Sequence, residues 1–487
     1  MQPGCEWLLG LLRAECDENL AIYYVSPDKY VSRASNFDSN ATFFIGPKGV
    51  GKSAILKMVE IEGKKKGTRV VHIRPDDLAF ATLADLKNQS PILQDANRNQ
   101  WLFKTLWDYV LTLEVLRSEY PDAINRRNWL SSFFKGPYEI SANKLIAESE
   151  KEGETLTGRM LQMIREVELS AGTPAGPLTG RVKLESAPPL ASNSIPLLNL
   201  VNTVSKKMRT QLNHKYYVLI DDLDQYWTDN PTQNAFIAAL FTSLTHFSRP
   251  PSIKAVVALR DNIYRVLPLI DGDKAPDRII RVKWDVESVR QMIETRLRFK
   301  YIVEVKDIWG IMFPENAFIL ITKHTSGRPR ESIRIAGLAI GIAIENVHKH
   351  VESDDLVAAI KEFSQERVRD VCADAQAAYP SLDLIVRKMS GGKKELSYAE
   401  IKDFFEMRFL EVACNESGSE RYAWIRGYQD NVNGIIELFL TLFILQIKLG
   451  KKDDPKDYDP NSPPEITTDR WFAVHPSLCP ALGLGLS

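Results

Sequence analysis

The stretch Gly46-Pro47-Lys48-Gly49-Val50-Gly51-Lys52-Ser53 decides the fold of this chain. Before it stands the short apolar run Thr42-Phe43-Phe44-Ile45, which stops where the glycines begin, as a buried parallel strand does. After it, apolar residues recur on one face of a predicted helix over residues 53–61. Strand, glycine-rich turn and helix therefore follow one another in the order that a phosphate-binding loop requires.

The residue types in this loop suit a chain of phosphates. Glycines let backbone N–H groups wrap the phosphates at the positive end of a helix dipole, a lysine reaches the outer phosphates, and a hydroxyl binds magnesium. We assign Lys52 to the outer phosphates and Ser53 to Mg²⁺. A glycine turn that happens to end in Lys-Ser is the alternative, which the flanking strand and helix disfavour. The predicted nucleotide-binding residues are Gly46, Pro47, Lys48, Gly49, Val50, Gly51, Lys52, Ser53 and Ala54.

A second motif follows a second buried strand, predicted over residues 216–220. This strand leads directly into Asp221-Asp222-Leu223-Asp224, and nucleotide hydrolysis needs a strand that delivers a carboxylate to the metal. We predict Asp221 as the magnesium ligand and Asp222 as the base or orienting group for the attacking water. Close carboxylates repel one another, and a bound cation relieves that repulsion. For Asp224, a plain capping role for the next helix is the realistic alternative.

The composition is that of an ordinary soluble globular protein. The 487 residues are 44% hydrophobic and 26% charged, which allows two or three domains without disulfides or metals. With 62 basic and 63 acidic residues the net charge is −1, so contact with nucleic acid or anionic lipid must use a local patch. Five cysteines without a Cys-x-x-Cys pair favour a reducing cytosol over a disulfide framework.

We expect no membrane segment and a cytoplasmic location. The first residues lack a basic region leading into an apolar run, so no secretory signal is predicted. The most apolar stretch, residues 435–449, is interrupted by Glu437, Gln446 and Lys448. It is also shorter than the roughly 20 residues needed to cross a bilayer. We therefore predict a buried helix over this stretch.

Strands and helices alternate on both sides of one long insertion. Gly63 and the lysines after it are expected to end the first helix. Further elements are predicted as strands over residues 69–73, 253–259 and 279–282 and as a helix over residues 233–247.

The insertion, residues 88–212, is helical in pattern. Its aromatic stretch over residues 101–109 is more typical of core packing than of a base-stacking platform. Between residues 170 and 196 the composition shifts to Gly, Pro, Ser and Ala, which predicts a surface loop.

A phosphate loop, an extra strand before the Asp-Asp-Leu-Asp strand end, and a later strand that ends in Arg260 together resemble the AAA+/STAND group of P-loop ATPases. The resemblance is greatest to the bacterial KAP-like ATPases. It implies a γ-phosphate sensor at Arg260, for which an ordinary surface arginine is the alternative. It also implies a second sensor arginine in Gly327-Arg328-Pro329-Arg330-Glu331. Because the proline fixes the first helical turn, we assign that role to Arg330 rather than Arg328.

The resemblance also concerns subunit contacts and turnover. AAA+ proteins complete their site with an arginine from a neighbouring subunit, located before the fifth strand. Arg278 is better placed for this than Arg281, and a salt-bridged strand end is the alternative for both. Asp222 stands where many AAA+ proteins carry glutamate, which bears on the turnover rate, although KAP and STAND members also use aspartate.

The C-terminal part carries a weaker pattern. Residues 396–405 have the polarity and apolar spacing of a winged-helix segment, and residues 471–476 would form a wing strand. A plain helical domain is the alternative. Winged helices bind DNA or serve as protein-interaction modules, and the acidic residues downstream of 450 favour protein contact.

The fold class predicted is α/β: a three-layer P-loop NTPase domain with a parallel sheet, a helical insertion, a helical lid and a C-terminal winged-helix-like module. The domains expected are a lead-in segment at 1–40, the ATPase core at 41–285, the lid at 286–378 and the C-terminal domain at 379–487.

The predicted activity is Mg²⁺-dependent hydrolysis of ATP, preferred over GTP because no Asn-Lys-x-Asp signature is present. We expect a homo-oligomeric switch or motor that acts with an effector or adaptor protein, and the KAP-like resemblance suggests anti-phage defence. Two other hypotheses are a DNA loader or remodelling ATPase, which would bind nucleic acid, and a nucleotide-dependent scaffold with little turnover.

Overall fold

The computed structural model describes residues 9–74, 96–121, 137–150, 197–224, 227, 231–247, 251–268, 276–301, 307–376, 378–415, 423–428, 431–459 and 462–486. The chain divides into two compact units. We call Lys29–Gly46 with Ile55–Arg281 the sheet unit, and Met1–Asp28, Pro47–Ala54 and Val282–Ser487 the helical unit.

The described strands form two sheets. The strands are β1 Phe43–Gly46, β2 Arg69–Ile73, β3 Tyr216–Ile220, β4 Ile253–Arg260, β5 Ile279–Arg281, β6 Glu395–Ser397, β7 Leu445–Lys448 and β8 Trp471–Val474. The sheet unit holds a five-stranded parallel sheet in the order β2-β3-β4-β1-β5, and the helical unit holds a three-stranded antiparallel sheet in the order β6-β8-β7.

The described helices, in chain order, are α1 Leu20–Tyr23, α2 Tyr30–Ser35, α3 Lys52–Lys65, α4 Ala96–Glu119, α5 Pro137–Glu150, α6 Leu197–Gln211, α7 Pro231–Phe247, α8 Asp261–Val266, α9 Val286–Tyr301, α10 Ile308–Met312, α11 Ala317–Thr325, α12 Pro329–Glu345, α13 Ser353–Ala375, α14 Leu382–Arg387, α15 Tyr398–Asn415, α16 Ala423–Arg426 and α17 Val432–Thr441. Short 3-10 turns occur at Ala14–Cys16, Pro27–Lys29 and Pro276–Arg278.

The parallel sheet is covered on both faces, which explains its nearly continuous apolar strands. On one face, Phe43 and its neighbours pack into a core built from α4, α5, α6 and α7. On the other face, Phe44 contacts Tyr30 of α2, and Tyr217 lies against Gly63 of α3. Helices on both sides of a parallel sheet give the three-layer P-loop fold that the sequence predicted.

Helix α3 ends at Lys65, within the segment of Gly63 and the lysines after it where the sequence predicted its end. Gly63 itself lies inside the helix. A Cβ atom on Gly63 would lie 2.7 Å from the ring of Tyr217, so glycine is needed here for the close approach of α3 to β3. Strands β2 and β3 begin and end at the predicted residues.

The aromatic stretch of the insertion lies on α4 and packs into the core. Phe103, Trp107 and Tyr109 are buried, and the Trp107 ring stacks on Phe236. This confirms the core-packing interpretation. The predicted surface loop over residues 170–196 lies outside the described residues.

The helical unit contains two apolar cores. Helices α9–α13 share one core, and the second belongs to the C-terminal module, which we define as α14–α17 with β6–β8. In the module the order is helix, strand, helices, then two strands, and β8 pairs with both β6 and β7. This is the winged-helix-like arrangement that the sequence predicted.

The single helix predicted over residues 435–449 is wrong. Helix α17 ends at Thr441, and β7 begins at Leu445. Phe443 has a left-handed backbone (φ 56°), and the Ile444 N–H donates to the Phe439 carbonyl, which closes the helix. Glycine usually marks such an end, and a phenylalanine gives no such signal.

Among the described helices, none is long and apolar enough to cross a membrane.

Candidate functional site

The glycine loop has the backbone that its sequence predicts. Gly49 and Gly51 both adopt left-handed backbones, with φ of 83° and 94°. Such angles suit glycine because it has no Cβ atom. A Cβ atom on Gly49 would also lie 3.3 Å from the Cβ atom of Arg330, so both conformation and space require glycine here.

Two side chains brace the loop backbone. The Lys52 ammonium donates to the Pro47 carbonyl over 2.9 Å. The Trp284 indole N–H donates to the Val50 carbonyl, also over 2.9 Å, and its ring lies beside Gly51. Sequence reasoning missed Trp284, because a single tryptophan after a strand carries no motif. Ser53 and Ala54 follow Lys52 in the first turn of α3.

Lys48 is held by an acidic residue far along the chain. Its ammonium lies 2.6 and 2.8 Å from the two carboxylate oxygens of Asp374, in the last turn of α13. The side chains of Lys48 and Asp374 are 40% and 32% exposed. This contact could not be predicted from the sequence, because nothing marks Asp374 among the many acidic residues of α13.

Arg330 and Arg328 occupy different environments, although they are two residues apart. The Arg330 N–H donates to the Gly49 carbonyl over 3.3 Å, and Arg330 is exposed. Arg328 is buried, and its guanidinium donates to Glu331 over 3.0 Å. This geometry favours Arg330 as the phosphate-contacting arginine, and that role stays a prediction.

A cleft of about 150 Å³ opens beside the loop, between α12 and α13. Lys48 and Gly49 line one side, and Arg330, Arg334 and Arg367 line the helical side. Much of this charge is paired within the unit, since Arg334 makes two hydrogen bonds to Glu366.

Glu331 lies at the centre of the charges under this cleft. Burial opposes its ionisation, but the guanidinium groups of Arg328 and Arg367, at 3.0 and 3.3 Å, outweigh burial and lower its pKa. Glu331 therefore carries its negative charge and fixes Arg328, next to the segment that reaches the loop.

In the sheet unit, the predicted residues meet at the carboxyl edge of the parallel sheet. Strand β4 lies between β1 and β3, and Gly46 at the end of β1 is level with Arg260 at the end of β4. Asp221 follows the last residue of β3. Gly46, Asp221 and Arg260 therefore lie at the same edge of the sheet.

Asp222 has a left-handed backbone, with φ of 60°. Its N–H donates to the Asp221 carboxylate over 2.9 Å. On its other side, the Arg74 guanidinium lies 3.7 Å from its carboxylate. Arg74 follows the end of β2, and that position at the same sheet edge could have signalled it from the sequence. Aspartate tolerates this backbone better than most residues, which suits the choice of aspartate over glutamate here.

Arg260 forms an ion pair with Asp224 at this edge, and both side chains are 24% exposed. The pair places Asp224 beside the predicted sensor rather than at a helix cap. The sensor role of Arg260 stays a prediction.

Arg278 and Arg281 lie at opposite ends of β5. Arg281 ends the strand and donates to Asp261 over 3.0 Å. Arg278 precedes the strand, at the amino edge of the sheet, where its guanidinium donates to Thr245 over 3.2 Å. Arg278 therefore lies at the edge of the sheet opposite Gly46.

The donor set fits magnesium held mainly by a nucleotide. Among the described residues, no group of three or more His, Cys, Asp and Glu side chains is arranged to hold a metal ion. Magnesium sites of nucleotide-hydrolysing enzymes commonly use one or two protein oxygens together with the substrate phosphates. Ser53 and Asp221 each carry an oxygen donor of the kind magnesium prefers, and their assignment as magnesium ligands stays a prediction.

One family model matches part of the chain. Residues 287–372, which span α9–α13 almost completely, match a model described as the FunZ-associated C-terminal helical domain. No curated protein matches the chain.

Several solved structures are similar over nearly the whole chain. The ORC1 protein of Aeropyrum pernix in complex with DNA is 13% identical with a TM-score of 0.43, covering 98% of this chain and 96% of its own. The ORC2 protein of the same organism, in ADPNP–ADP complexes, is 12% identical with a TM-score of 0.39, covering 93% and 89%. A Walker-type ATPase of Pyrococcus abyssi is 10% identical with a TM-score of 0.40, covering 94% and 95%. All three likenesses are distant, and the function proposed below rests on the chain's own residues.

Proposed function

We propose that this chain binds Mg·ATP at its glycine loop and hydrolyses the bond between the β- and γ-phosphates. The observation that carries the proposal is the glycine loop itself, with left-handed Gly49 and Gly51, leaving a sheet edge that also bears Asp221 and Asp222. Loop N–H groups cradle phosphates, and carboxylates at the end of a neighbouring strand serve the metal and the water.

Each residue then has one task. Lys52 would turn from the Pro47 carbonyl to the outer phosphates, and the Ser53 hydroxyl and the Asp221 carboxylate are the residues that would hold a magnesium ion. When bound, that ion neutralises charge on the β- and γ-phosphates. Asp222 orients the attacking water and accepts its proton. The backbone of Asp222 is held in place because its N–H donates to the Asp221 carboxylate. Arg260 and Arg330 stabilise charge that develops on the γ-phosphate oxygens.

Steady-state phosphate release tests the hydrolase assignment. We expect wild-type protein to release phosphate from ATP, and EDTA to stop it. Lys52→Ala should abolish the release, because the other loop lysine, Lys48, is held by Asp374 and lies outside the first turn of α3. Lys65→Ala, an exposed lysine at the other end of the same helix, is the matched control and should behave as wild type. Nucleotide binding without phosphate release in wild-type protein would contradict hydrolysis and favour the scaffold hypothesis.

We infer that the C-terminal module contacts protein rather than DNA. Helix α17 contains no lysine or arginine. Its two exposed positions are Asn433 and Glu437, which bond to the chain's own residues: Asn433 to the Ile466 carbonyl and Glu437 to the Tyr458 hydroxyl. Reading a major groove needs donors and acceptors offered to bases, and phosphate contact needs cations. Acidic residues also outnumber basic ones over residues 379–487.

Anisotropy of labelled duplex DNA, measured at two salt concentrations, separates these readings. We expect no binding tighter than the non-specific range, about 10⁻⁶ M or weaker. Submicromolar binding that weakens steeply with salt and is lost on Lys451→Glu/Lys452→Glu would contradict protein contact and favour the DNA-loader hypothesis.

Arg278 supports a further proposal, a homo-oligomer in which it reaches the site of a neighbouring subunit. Its position at the amino edge of the sheet is compatible with action on another chain. Mixing Arg278→Ala protein with Lys52→Ala protein tests this: restored hydrolysis is expected, and none at any ratio would contradict it. The anti-phage role and a separate effector protein rest only on the resemblance to KAP-like ATPases and stay predictions.

A further inference from the structure

One short segment of the helical unit contacts both the glycine loop and the C-terminal module. The segment is Ser326–Glu331, which joins α11 to α12. On the loop side, the Arg330 N–H donates to the Gly49 carbonyl, and its side chain begins against Gly49. The position of Arg330 therefore depends on how the rest of this segment is held.

Arg328 ties the segment to the module. Its guanidinium lies 4.0 Å from the centre of the Phe443 ring, at the turn between α17 and β7. It is 6% exposed, and a desolvated cation over an aromatic face is attracted more strongly than an exposed one. Its ion pair with Glu331 fixes it from the other side.

Ser326 makes a second tie through a buried imidazole. The Ser326 hydroxyl lies 2.7 Å from Nε2 of His475, which directly follows β8. The Ser477 N–H donates to Nδ1 of His475, so the ring proton sits on Nε2 and faces Ser326 and Asp457. Burial lowers the pKa of His475 and keeps the ring neutral. Hydrogen bonds from His475, Ser326 and Gln446 outweigh burial and hold the pKa of Asp457 well below its usual range.

One residue of each tie has a left-handed backbone. Ser326 and Phe443 adopt left-handed φ angles of 50° and 56°. Such angles are uncommon for residues other than glycine and persist only where the surroundings hold them. The strain lies where the segment and the module meet, which is expected if this junction is maintained for function.

We propose that Phe443 and His475 are positioning residues for Arg330, so that the C-terminal module sets the activity of the nucleotide site. The inference rests on the proposed function, since it assigns Arg330 to the γ-phosphate. It follows that a protein partner that moves the module would change ATP turnover through Arg328 and Ser326, without touching the loop.

Two measurements on Phe443 variants test this. Phe443→Leu keeps an apolar side chain but removes the aromatic face, and Phe443→Tyr restores the face. We expect kcat to fall about three- to tenfold in Phe443→Leu and to stay near wild type in Phe443→Tyr. In an Arg330→Ala background, Phe443→Leu should lower kcat no further, because both act through the same guanidinium. Met407→Ala, at an exposed site elsewhere on the module, is the control and should leave kcat unchanged.

The second measurement does not need catalysis. Amide hydrogen exchange across residues 326–331 should be about tenfold faster in Phe443→Leu and His475→Ala than in wild type or Met407→Ala. Unchanged exchange in both variants, or equal losses of kcat with and without Arg330, would overturn the proposal. Wild-type protein that hydrolyses no ATP would refute the proposed function, and the exchange rates would still decide the positioning role.

Discussion

The ion pair on the glycine loop and the polar side chains inside the C-terminal module differ in their exposure to solvent. Beside the loop, Lys48 and Asp374 form an ion pair whose side chains are 40% and 32% exposed. In the module, His475 and Lys448 have side chains that are 1% and 5% exposed, and both have fixed partners. Exposed pairs contribute little free energy and can be exchanged, whereas buried ones are costly to break.

The difference separates two tasks. Groups around the loop can change partners when a nucleotide arrives, as Lys52 must when it leaves the Pro47 carbonyl. Lys448 and His475 in the module are buried against their partners, so we expect the module to keep one arrangement and to move as a unit.

The largest effect is expected at Gly49. Gly49→Ala should weaken ATP binding at least 100-fold, because an added methyl group would strain the left-handed backbone and lie 3.3 Å from the Arg330 Cβ atom, which would displace Arg330 or the loop. Gly67→Ala is the matched control: φ is 70° there, but no atom lies within 4 Å of the added methyl. It should cost about 1 kcal/mol of stability and leave binding intact. Titration with a fluorescent ATP analogue measures both. Equal binding losses in the two variants would mean that the loop geometry has no special role.

Helix α13 carries an exposed ion-pair partner, Asp374, and a buried carboxylate, Asp355, so the two kinds of polar group can be compared within one helix. Asp355 is fully buried and accepts hydrogen bonds from Asn346, His348 and the Glu352 N–H at 2.7–2.9 Å. Asp355→Ala should lower the free energy of unfolding by about 2–3 kcal/mol, measured by urea denaturation. Asp354→Ala, exposed one residue earlier, should change it little.

The Asp355 effect should depend on pH. Burial opposes ionisation of Asp355, but its hydrogen bonds outweigh burial and lower its pKa. The stability it confers is present above about pH 4 and lost as pH falls through the folded pKa. The hydrogen bond that His348 donates to Asp355 raises the pKa of His348, so that contribution is complete below about pH 6.5 and lost as pH rises through the folded pKa. The difference between wild type and Asp355→Ala should therefore be largest between about pH 4 and 6.5, and a pH-independent difference would contradict this.

A substitution of Lys448 tests whether buried polar groups stabilise the module. Its side chain is 5% exposed, and its ammonium lies 2.8 Å from Glu395 of β6. Lys448→Ala should lower the free energy of unfolding by about 1–3 kcal/mol through lost packing and an unpaired carboxylate, while ATP affinity stays the same. Thermal denaturation with and without ATP measures this, and the exposed Lys452→Ala is the control. A tenfold loss of affinity would show that ATP binding itself, and not only turnover, depends on the packing of the module.

The smallest effect concerns the loop ion pair. Asp374→Asn should tighten ATP binding by less than about fivefold, because the charge of Lys48 is no longer neutralised beside the phosphates. The gain should shrink at high salt, where exposed charges are screened. Asp354→Asn, at the far end of the same helix, should show no gain. A salt-independent change above tenfold would place this pair with the buried, structural ones.

The parallel sheet could be predicted closely because periodicity and motif agree there. Strand β3 is a short apolar run buried on both faces, whereas β2 buries Val71 and Ile73 and leaves His72 exposed, and a charged residue follows each strand. Gly46–Ser53 and Asp221 were located by the same logic. What could not be predicted are the long-range contacts around these residues: Trp284 on Val50 and Asp374 on Lys48 link residues without any shared pattern.

The module was harder because its signals are ambiguous. Residues 435–449 are apolar throughout, and a short apolar run does not distinguish a buried helix from a buried strand. The chain changes from one to the other at Phe443, where tertiary contacts hold a left-handed backbone that its side chain disfavours. His475 carried no metal-ligand spacing, and its role at the junction became visible only from its burial and its contacts with Ser326 and Asp457.

Single turnover of γ-labelled Mg·ATP by wild-type and Asp222→Asn protein tests the central claim most directly. Asparagine tolerates the left-handed backbone at this position, so the variant should fold and bind ATP as wild type does. We expect wild-type protein to convert the bound ATP, and the variant to retain it with a rate at least 100-fold lower. Equal rates in the two proteins would contradict a hydrolytic site at the carboxyl edge of the sheet.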